Sequence, residues 1–432
     1  MDIKSEKRKS FWGGILAGAG AAAVILTIVA CILLWSQASF YSKLVADKQQ
    51  NPAGSGGGLF QFTNPASSAV AGQVINSDVV KKVDDIYAMI DELFYFEDQV
   101  DTDKMRDKIY AAVMDSLDDP YSVYYTEEEF AALFEDSEGV YYGIGSYVTM
   151  DEVTNLPMLS GVFPGSPAQD AGLRDGDFIY EVDGASVAGL SLTEVTDLIK
   201  GPKGTDVVLT IIRDGETDYL YVTVTRDEIE TPTVTHEMYD NNIGYLQITE
   251  FDDVTVSQFE EAYADLQSQG MKGMILDLRS NPGGNLDTVV SICEDILPAG
   301  IITYTVDKNG KREEYKGKGK TPIDIPLVVL VNGYSASASE LMTGAIRDYG
   351  VGTIMGTNTF GKGIVQNILS LGDGTGIKIT TSSYFTPNGE CIHKKGIAPD
   401  IEVEFDSELY YSDEAIDNQL EEAKKYLLDK IG

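Results

Sequence analysis

Residues 11–35 (FWGGILAGAGAAAVILTIVACILLW) run for 25 positions without a charged side chain. At helical rise such a run extends roughly 37 Å, more than the roughly 30 Å hydrocarbon core of a bilayer. It reads as one N-terminal transmembrane helix. Lys4, Lys7, Arg8 and Lys9 precede it against only Asp2 and Glu6, and positive flanks stay on the cytoplasmic side. Residues 1–10 are thus expected to be a cytoplasmic tail of a single-pass cell-membrane protein, with everything after residue 35 extracytoplasmic. Two other readings stay open: a cleaved signal peptide ending at Ser36-Gln37-Ala38, and a lipoprotein box at Ile28-Val29-Ala30-Cys31.

The chain has 432 residues, which calls for two or three domains rather than one core. Apolar residues make up 43%, enough to fold most of it. The balance of 32 basic against 69 acidic residues, net −37, repels phosphate backbones and makes nucleic acid an unsuitable partner. Cys31, Cys293 and Cys391 are too few for a disulfide framework and lack metal-ligand spacing. Whether Cys293 and Cys391 pair is left open by the sequence.

Residues 36–76 are rich in Gly, Ser, Pro and Asn and read as a flexible linker. Over residues 77–138 apolar positions such as Val79, Val83, Ile86, Ile90, Met105 and Ile109 recur at three-to-four spacing, predicting an all-helical arm or cap. Residues 139–228 turn to short β-branched runs between Gly, Pro and Asp turns, predicting a small β-rich domain. Its order of GIG at 143–145, GSPAQDAGLRDGD at 165–177, EVDG at 181–184 and a helix over 191–200 resembles a PDZ domain. From 229 to the end, strands such as GMILDLRS and PLVVLVNG alternate with helical stretches such as LDTVVSICEDIL, the pattern of an α/β core.

Chemistry concentrates in that last region. The loop NGYSASASE, 332–340, places three serines where a strand enters a helix. Helix-start amides there can hold an oxyanion, although serine also simply caps helices. The chain has only two histidines, His236 and His393, both of which read as surface or structural residues, so a Ser-His-Asp triad is disfavoured. His236-Glu237 lacks the second histidine of a metalloprotease. A buried lysine can replace histidine as base, and Lys362, between Gly361 and Gly363 in NTFGKGIVQ, is the candidate.

The SASASE loop, the helix ending Asp348-Tyr349-Gly350, the FGKG motif and the glutamine four residues on from its lysine closely resemble the carboxyl-terminal processing (tail-specific) proteases. The resemblance runs from about residue 77 through GIAPDIEVE, 396–404. It implies an α/β protease core with an inserted PDZ domain and Ser337 as nucleophile. It further implies Lys362 as general base 25 positions on, with Gln366 orienting the lysine. It places oxyanion donors at the backbone N–H of Gly283, in LDLRSNPGGN, and of Ala338, and gives Asp348 a supporting role. Arg347 and the Cys391-Ile392-His393 stretch depart from the family's usual residues without touching the proposed dyad.

The expected activity is therefore a serine endopeptidase, needing no metal or organic cofactor, that cleaves extracytoplasmic proteins near their C-terminal tails. The PDZ loop Tyr142-Gly143-Ile144-Gly145 would take a substrate's terminal carboxylate, and the domain would gate the active site. Partners are then proteins or peptides with accessible C-termini. The resemblance also implies a homo-oligomer, in first place a dimer joined through the arm. The alternative of another class is an inactive membrane-tethered PDZ scaffold.

Overall fold

The structure, a computed structural model, describes Val74, residues 76–412 and residues 415–431. The expected transmembrane helix and most of the linker lie outside the described residues. Among the described residues no helix is long and apolar enough to cross a membrane.

The arm consists of α1 (Ser77–Leu93) and α2 (Thr102–Asp115), started by Asn76 and Asp101, whose side chains accept from amides of the first turn. α1 buries no residue and α2 only Met114. The expectation of an all-helical segment fails at β1 (Val123–Tyr125), which precedes α3 (Glu127–Glu138). β1 adds antiparallel to the strand that carries Lys378, Val123 opposite Lys378. A run of three residues is too short for its periodicity to distinguish strand from helix.

The chain then enters the PDZ-like unit through β2 (Val140–Gly143) and leaves it through β9 (Asp227–Glu230), paired antiparallel as a two-stranded stalk. Between them lie β3 (Ser146–Met150), β4 (Pro157–Val162), the short α4 (Pro167–Asp170), β5 (Phe178–Val182), β6 (Ala185–Ser186), α5 (Leu192–Ile199), β7 (Asp206–Ile212) and β8 (Leu220–Thr225). The sheet β3-β4-β5-β7-β8 and α5 close over a separate core that includes Leu159, Ile179, Val195, Leu209 and Ile211. A unit with its own core and adjacent ends can be inserted without disturbing its host.

The host is a six-stranded sheet in the order β10-β11-β12-β15-β16-β19, with β10 (Val234–Tyr239), β11 (Ile243–Ile248), β12 (Gly273–Asp277), β15 (Leu327–Val331), β16 (Thr353–Gly356) and β19 (Ile401–Glu402). All neighbours but β10 and β11 are parallel. Crossovers run through α6 (Thr255–Ser268), α7 (Leu286–Ile296) and α8 (Ala338–Tyr349), and the short α9 (Ser407–Tyr410) and α10 (Asn418–Ile431) end the chain. β12 and β15 are buried at every position, as a sheet covered on both faces requires. Alternate residues divide between the faces: Met274, Leu276 and Val329 pack with Phe259, Val289 and Leu341, whereas Ile275, Val328 and Leu330 pack with Ala423 and Leu427 of α10.

A second, antiparallel sheet holds β13 (Gly300–Asp307), β14 (Arg312–Gly317), β17 (Ile364–Ser370) and β18 (Gly376–Phe385), with β1 added at its edge. Cys293 is buried in α7 and Cys391 is partly exposed; both are free thiols.

Candidate active site

Three loops meet at the carboxyl ends of β12, β15 and β16, the position where parallel sheets hold their chemistry. The loop after β15 carries Ser335, Ser337 and Ser339. Ser335 Oγ donates to Leu278 O at 2.8 Å and Ser339 Oγ to Asn281 O at 2.9 Å, so these two hydroxyls fasten the serine loop to the loop after β12. Ser337 Oγ is buried without a hydrogen-bond partner. Its backbone is held at φ 54°, ψ −113°, a conformation that a non-glycine residue adopts only when its surroundings impose it.

Glu340, which the sequence reading quoted within its motif but gave no role, imposes much of it. It is wholly buried. Its Oε2 accepts from Ser337 N at 3.0 Å and Lys362 N at 2.8 Å, while Oε1 accepts from Gly361 N at 2.7 Å and Thr359 Oγ1 at 2.6 Å. One carboxylate therefore ties the backbone of the serine loop to that of the lysine loop. Burial pushes its carboxyl upward, and the four donors oppose that shift. The lysine loop is also packed backbone to backbone: at Gly361, φ 91°, an added Cβ would lie 2.9 Å from Gly396 N.

The Lys362 side chain is 1% exposed, and burial brings its ammonium down to about 8 against the opposing pull of Glu340 and Asp119. Its Nζ lies 5.1 Å from the centre of the Tyr121 ring. Tyr121 belongs to the turn after α2, where Ser122 Oγ donates to Asp119 at 2.6 Å and accepts from Thr380 N at 3.1 Å. A hydrogen bond from the Thr380 side chain also holds the Asp119 carboxyl below its ordinary range, against burial. Gln366, wholly buried opposite Thr380, donates from Nε2 to Thr380 Oγ1 at 3.3 Å. Asp119, Tyr121 and Thr380 carry no motif, and the first two fall in a segment whose periodicity predicts a separate arm; the dipeptide Asp119-Pro120, a turn signal, is the one clue to their place.

Ala338 opens α8, where amides have no carbonyl partner within the helix. Gly283 stands against it: at φ 112° an added Cβ would lie 2.8 Å from Ser337 Cβ and 3.0 Å from Ala338 N. Its amide, however, donates to Asn281 Oδ1 at 2.8 Å, so service as an oxyanion donor requires it to turn from Asn281 or to share its proton. Asp348 sits at the opposite end of α8, roughly 16 Å from Ser337 by helical rise. It accepts from Asn388 N at 2.9 Å and from Arg347 at 3.1 Å, bracing the loop after β18 far from Ser337 and Lys362. His236 pairs with Asp265 at 2.9 Å. The backbone of His393 packs against Gly363 of the lysine loop.

Tyr142-Gly143-Ile144-Gly145 leads into β3 of the PDZ-like unit. Ile144 O accepts from Ala168 N at 2.8 Å and Gly145 O from Phe163 N at 3.0 Å. A groove of about 270 Å³ between β3 and α5 is lined by Ile144, Tyr147, Val148, Phe163 and Ile199, with Lys200 at its end. Tyr142 itself is 48% exposed and does not line the groove.

The profile of the family described as Peptidase family S41 matches residues 242–403, and a PDZ domain profile matches residues 159–213. The carboxy-terminal processing protease CtpA of Bacillus subtilis (strain 168) is 36% identical over 342 residues, covering 78% of this chain and 72% of that protein. A carboxyl-terminal-processing protease of Synechocystis sp. is 37% identical over 306 residues, covering 69% and 72%. Among solved structures, a photosystem II D1 C-terminal processing protease aligns at 29% identity and a TM-score of 0.44 over 76% of this chain and 93% of that one.

Proposed function

Because the chain belongs to the carboxy-terminal processing proteases of peptidase family S41 and is a serine peptidase, we propose that it works through a dyad of Ser337 and Lys362. Ser337 Oγ attacks the peptide carbonyl carbon as neutral Lys362 Nζ takes its proton. Charge developing on the carbonyl oxygen is met by the Ala338 amide and by Gly283 once its N–H leaves Asn281. The lysine ammonium then protonates the leaving amine, the C–N bond breaks, and an ester to Ser337 remains. Water attacks that ester with Lys362 again taking the proton, releasing a carboxylate and restoring the serine. Gln366 holds the lysine in place, and Asp348 braces the far end of α8.

One observation carries this reading. Of the three hydroxyls in the loop, Ser337 Oγ alone is buried with no hydrogen-bond partner, on a backbone that Glu340 joins to a buried lysine of lowered pKa. The test is hydrolysis of an unfolded protein with an apolar C-terminus by wild type, Ser337→Ala and Lys362→Ala. The reading requires both variants to be silent while retaining the wild-type circular dichroism spectrum. Turnover by either one removes that residue from the role given to it.

The PDZ domain suits binding of peptide C-termini, and the apolar groove beside the Tyr142–Gly145 loop supports substrate selection by an apolar tail. We further propose substrates outside the cytoplasmic membrane, on the strength of residues 1–35, and a dimer through the arm. The arm leaves Ile86, Met89 and Leu93 exposed at 49%, 60% and 73%, and a fully active monomer by light scattering would rule the dimer out.

A further inference from the structure

The apolar groove of the PDZ-like unit ends on a lysine. β3 is the edge strand of its sheet, so its free side can take an added strand. The loop over residues 142–145 stands at the start of β3, and Gly143 and Ile144 line the groove. A tail whose terminal carboxylate is held at that loop runs antiparallel to β3 and along α5, with its last side chain among Ile144, Phe163 and Ile199. Gly201 N donates to Tyr142 O at 3.3 Å, which fixes the C-terminal end of α5, and Lys200 with it, against the loop.

Lys200 is the one charged side chain among the described residues that line this groove. Its Nζ lies 5.7 Å from the centre of the Tyr141 ring, within the range of a cation–π contact. That ring reaches back to the loop: a Cβ added at Gly143 would lie 2.8 Å from Tyr141 Cε2. Ammonium, ring and loop backbone are thus successive neighbours. A basic residue at a helix end commonly serves the helix itself by meeting its last carbonyls. Here Arg226 does so: buried, it donates from Nε to Ile199 O at 2.7 Å and from Nη2 to Leu198 O at 3.1 Å. Nor is Lys200 taken up by an acid. Lys203, three residues on, pairs with Asp227 at 2.8 Å and Glu228 at 3.9 Å, whereas Lys200 makes no ion pair among the described residues.

We propose that Lys200 is a specificity-determining residue of the peptide groove, its ammonium meeting the terminal carboxylate of a substrate tail whose last side chain fills the apolar part. The inference rests on the PDZ domain binding substrate C-termini. Loop amides donate to a carboxylate and, more weakly, to the carbonyl oxygen of a terminal amide. A point charge beside them widens that difference, because only the carboxylate carries the opposite charge. In a chain of net charge −37 the long-range field repels an anionic tail, and an ammonium at the end of the groove opposes that field where the tail docks. The tail selected is one with a free carboxylate after an apolar residue; amidated ends and internal segments of a chain are held less.

The experiment is fluorescence anisotropy of an N-terminally labelled peptide ending in leucine, as the free acid and as the C-terminal amide. The protein is the full-length Ser337→Ala variant, which leaves the peptide intact, alone and with Lys200→Met, Lys200→Arg or Lys200→Glu added. Lys200→Met is expected to weaken binding of the acid about fivefold and leave the amide unmoved, and Lys200→Glu to weaken the acid further. Lys200→Arg, which keeps the charge, should retain most of the preference for the acid. Added salt should reduce that preference more in the parent than in Lys200→Met. Lys200 is exposed, and the contrast between arginine and glutamate at one position separates charge from packing. An unchanged preference in both Lys200→Met and Lys200→Glu, or an equal loss for acid and amide, overturns the role of Lys200 and leaves the PDZ reading in place. No preference for the acid in the parent overturns the PDZ reading itself, and the role of Lys200 with it.

Discussion

Glu340 accepts four hydrogen bonds at the point where the serine and lysine loops touch, so its removal leaves buried donors without acceptors. Hydrogen bonds to a charged group contribute about 1.5–3 kcal/mol each, less when the loops relax. Glu340→Ala is expected to lose at least about 3 kcal/mol in a denaturant titration and to lower kcat/KM by about 10²-fold or more through misplacement of both groups. Lys362 behaves in the opposite sense. Its pKa is depressed in the fold, to about 8, so below that value the folded state carries a buried ammonium at a cost. Lys362→Met is therefore expected to abolish hydrolysis yet raise stability at pH 7 by about 1–3 kcal/mol, an advantage that shrinks as pH rises through the folded pKa toward the unfolded one. For wild type, kcat/KM should climb about tenfold per unit toward a limb near pH 8, because the ammonium cannot accept the serine proton. A profile flat from pH 6 to 9 would contradict this.

Among the elements, the turn and strand after α2 have the largest unexpected part. Because α1 and α2 bury only Met114, a chain beginning at residue 116 is expected to keep the core and its peptide hydrolysis. A chain beginning at residue 127 loses Asp119, Tyr121 and β1, and with them activity. Equal activity of the two truncations would show that the turn is dispensable. The sequence made the main elements legible where apolar runs were long: GMILDLRS, PLVVLVNG and the three crossover helices fall where β12, β15, α6, α7 and α8 stand. β13, β14 and α10 went unread: GIITYTVD has no apolar run as long as those of β12 and β15, and REEYKG and NQLEEAKKYLLDKI carry charges that break up their apolar patterns. β1 went unread because strand addition is decided by its partner, Lys378 opposite Val123, which lies more than 250 residues away in the chain. In the site, Ser337, Lys362 and Gln366 were legible through motifs and are brought to one buried region. The roles of Glu340 and Asp119 and the competing hold of Asn281 on Gly283 arise only from folding.

At the scale of the molecule, the stalk of β2 and β9 joins two units with separate cores, and Thr231 N donates to Gly139 O at 2.8 Å where the chain enters and leaves it. Replacing residues 140–230 by a short turn should leave the protease core folded, while peptide cleavage loses its dependence on a free C-terminus. Unchanged preference between a peptide acid and its amide would place substrate selection elsewhere. The central claim, that Ser337 carries the acyl group and Lys362 its proton, is tested most directly by rapid-quench mass spectrometry with a peptide ester at pH 8. The account predicts an acyl adduct mapped to Ser337 in wild type and none in Ser337→Ala; an adduct on another residue, or turnover in Ser337→Ala, would contradict it.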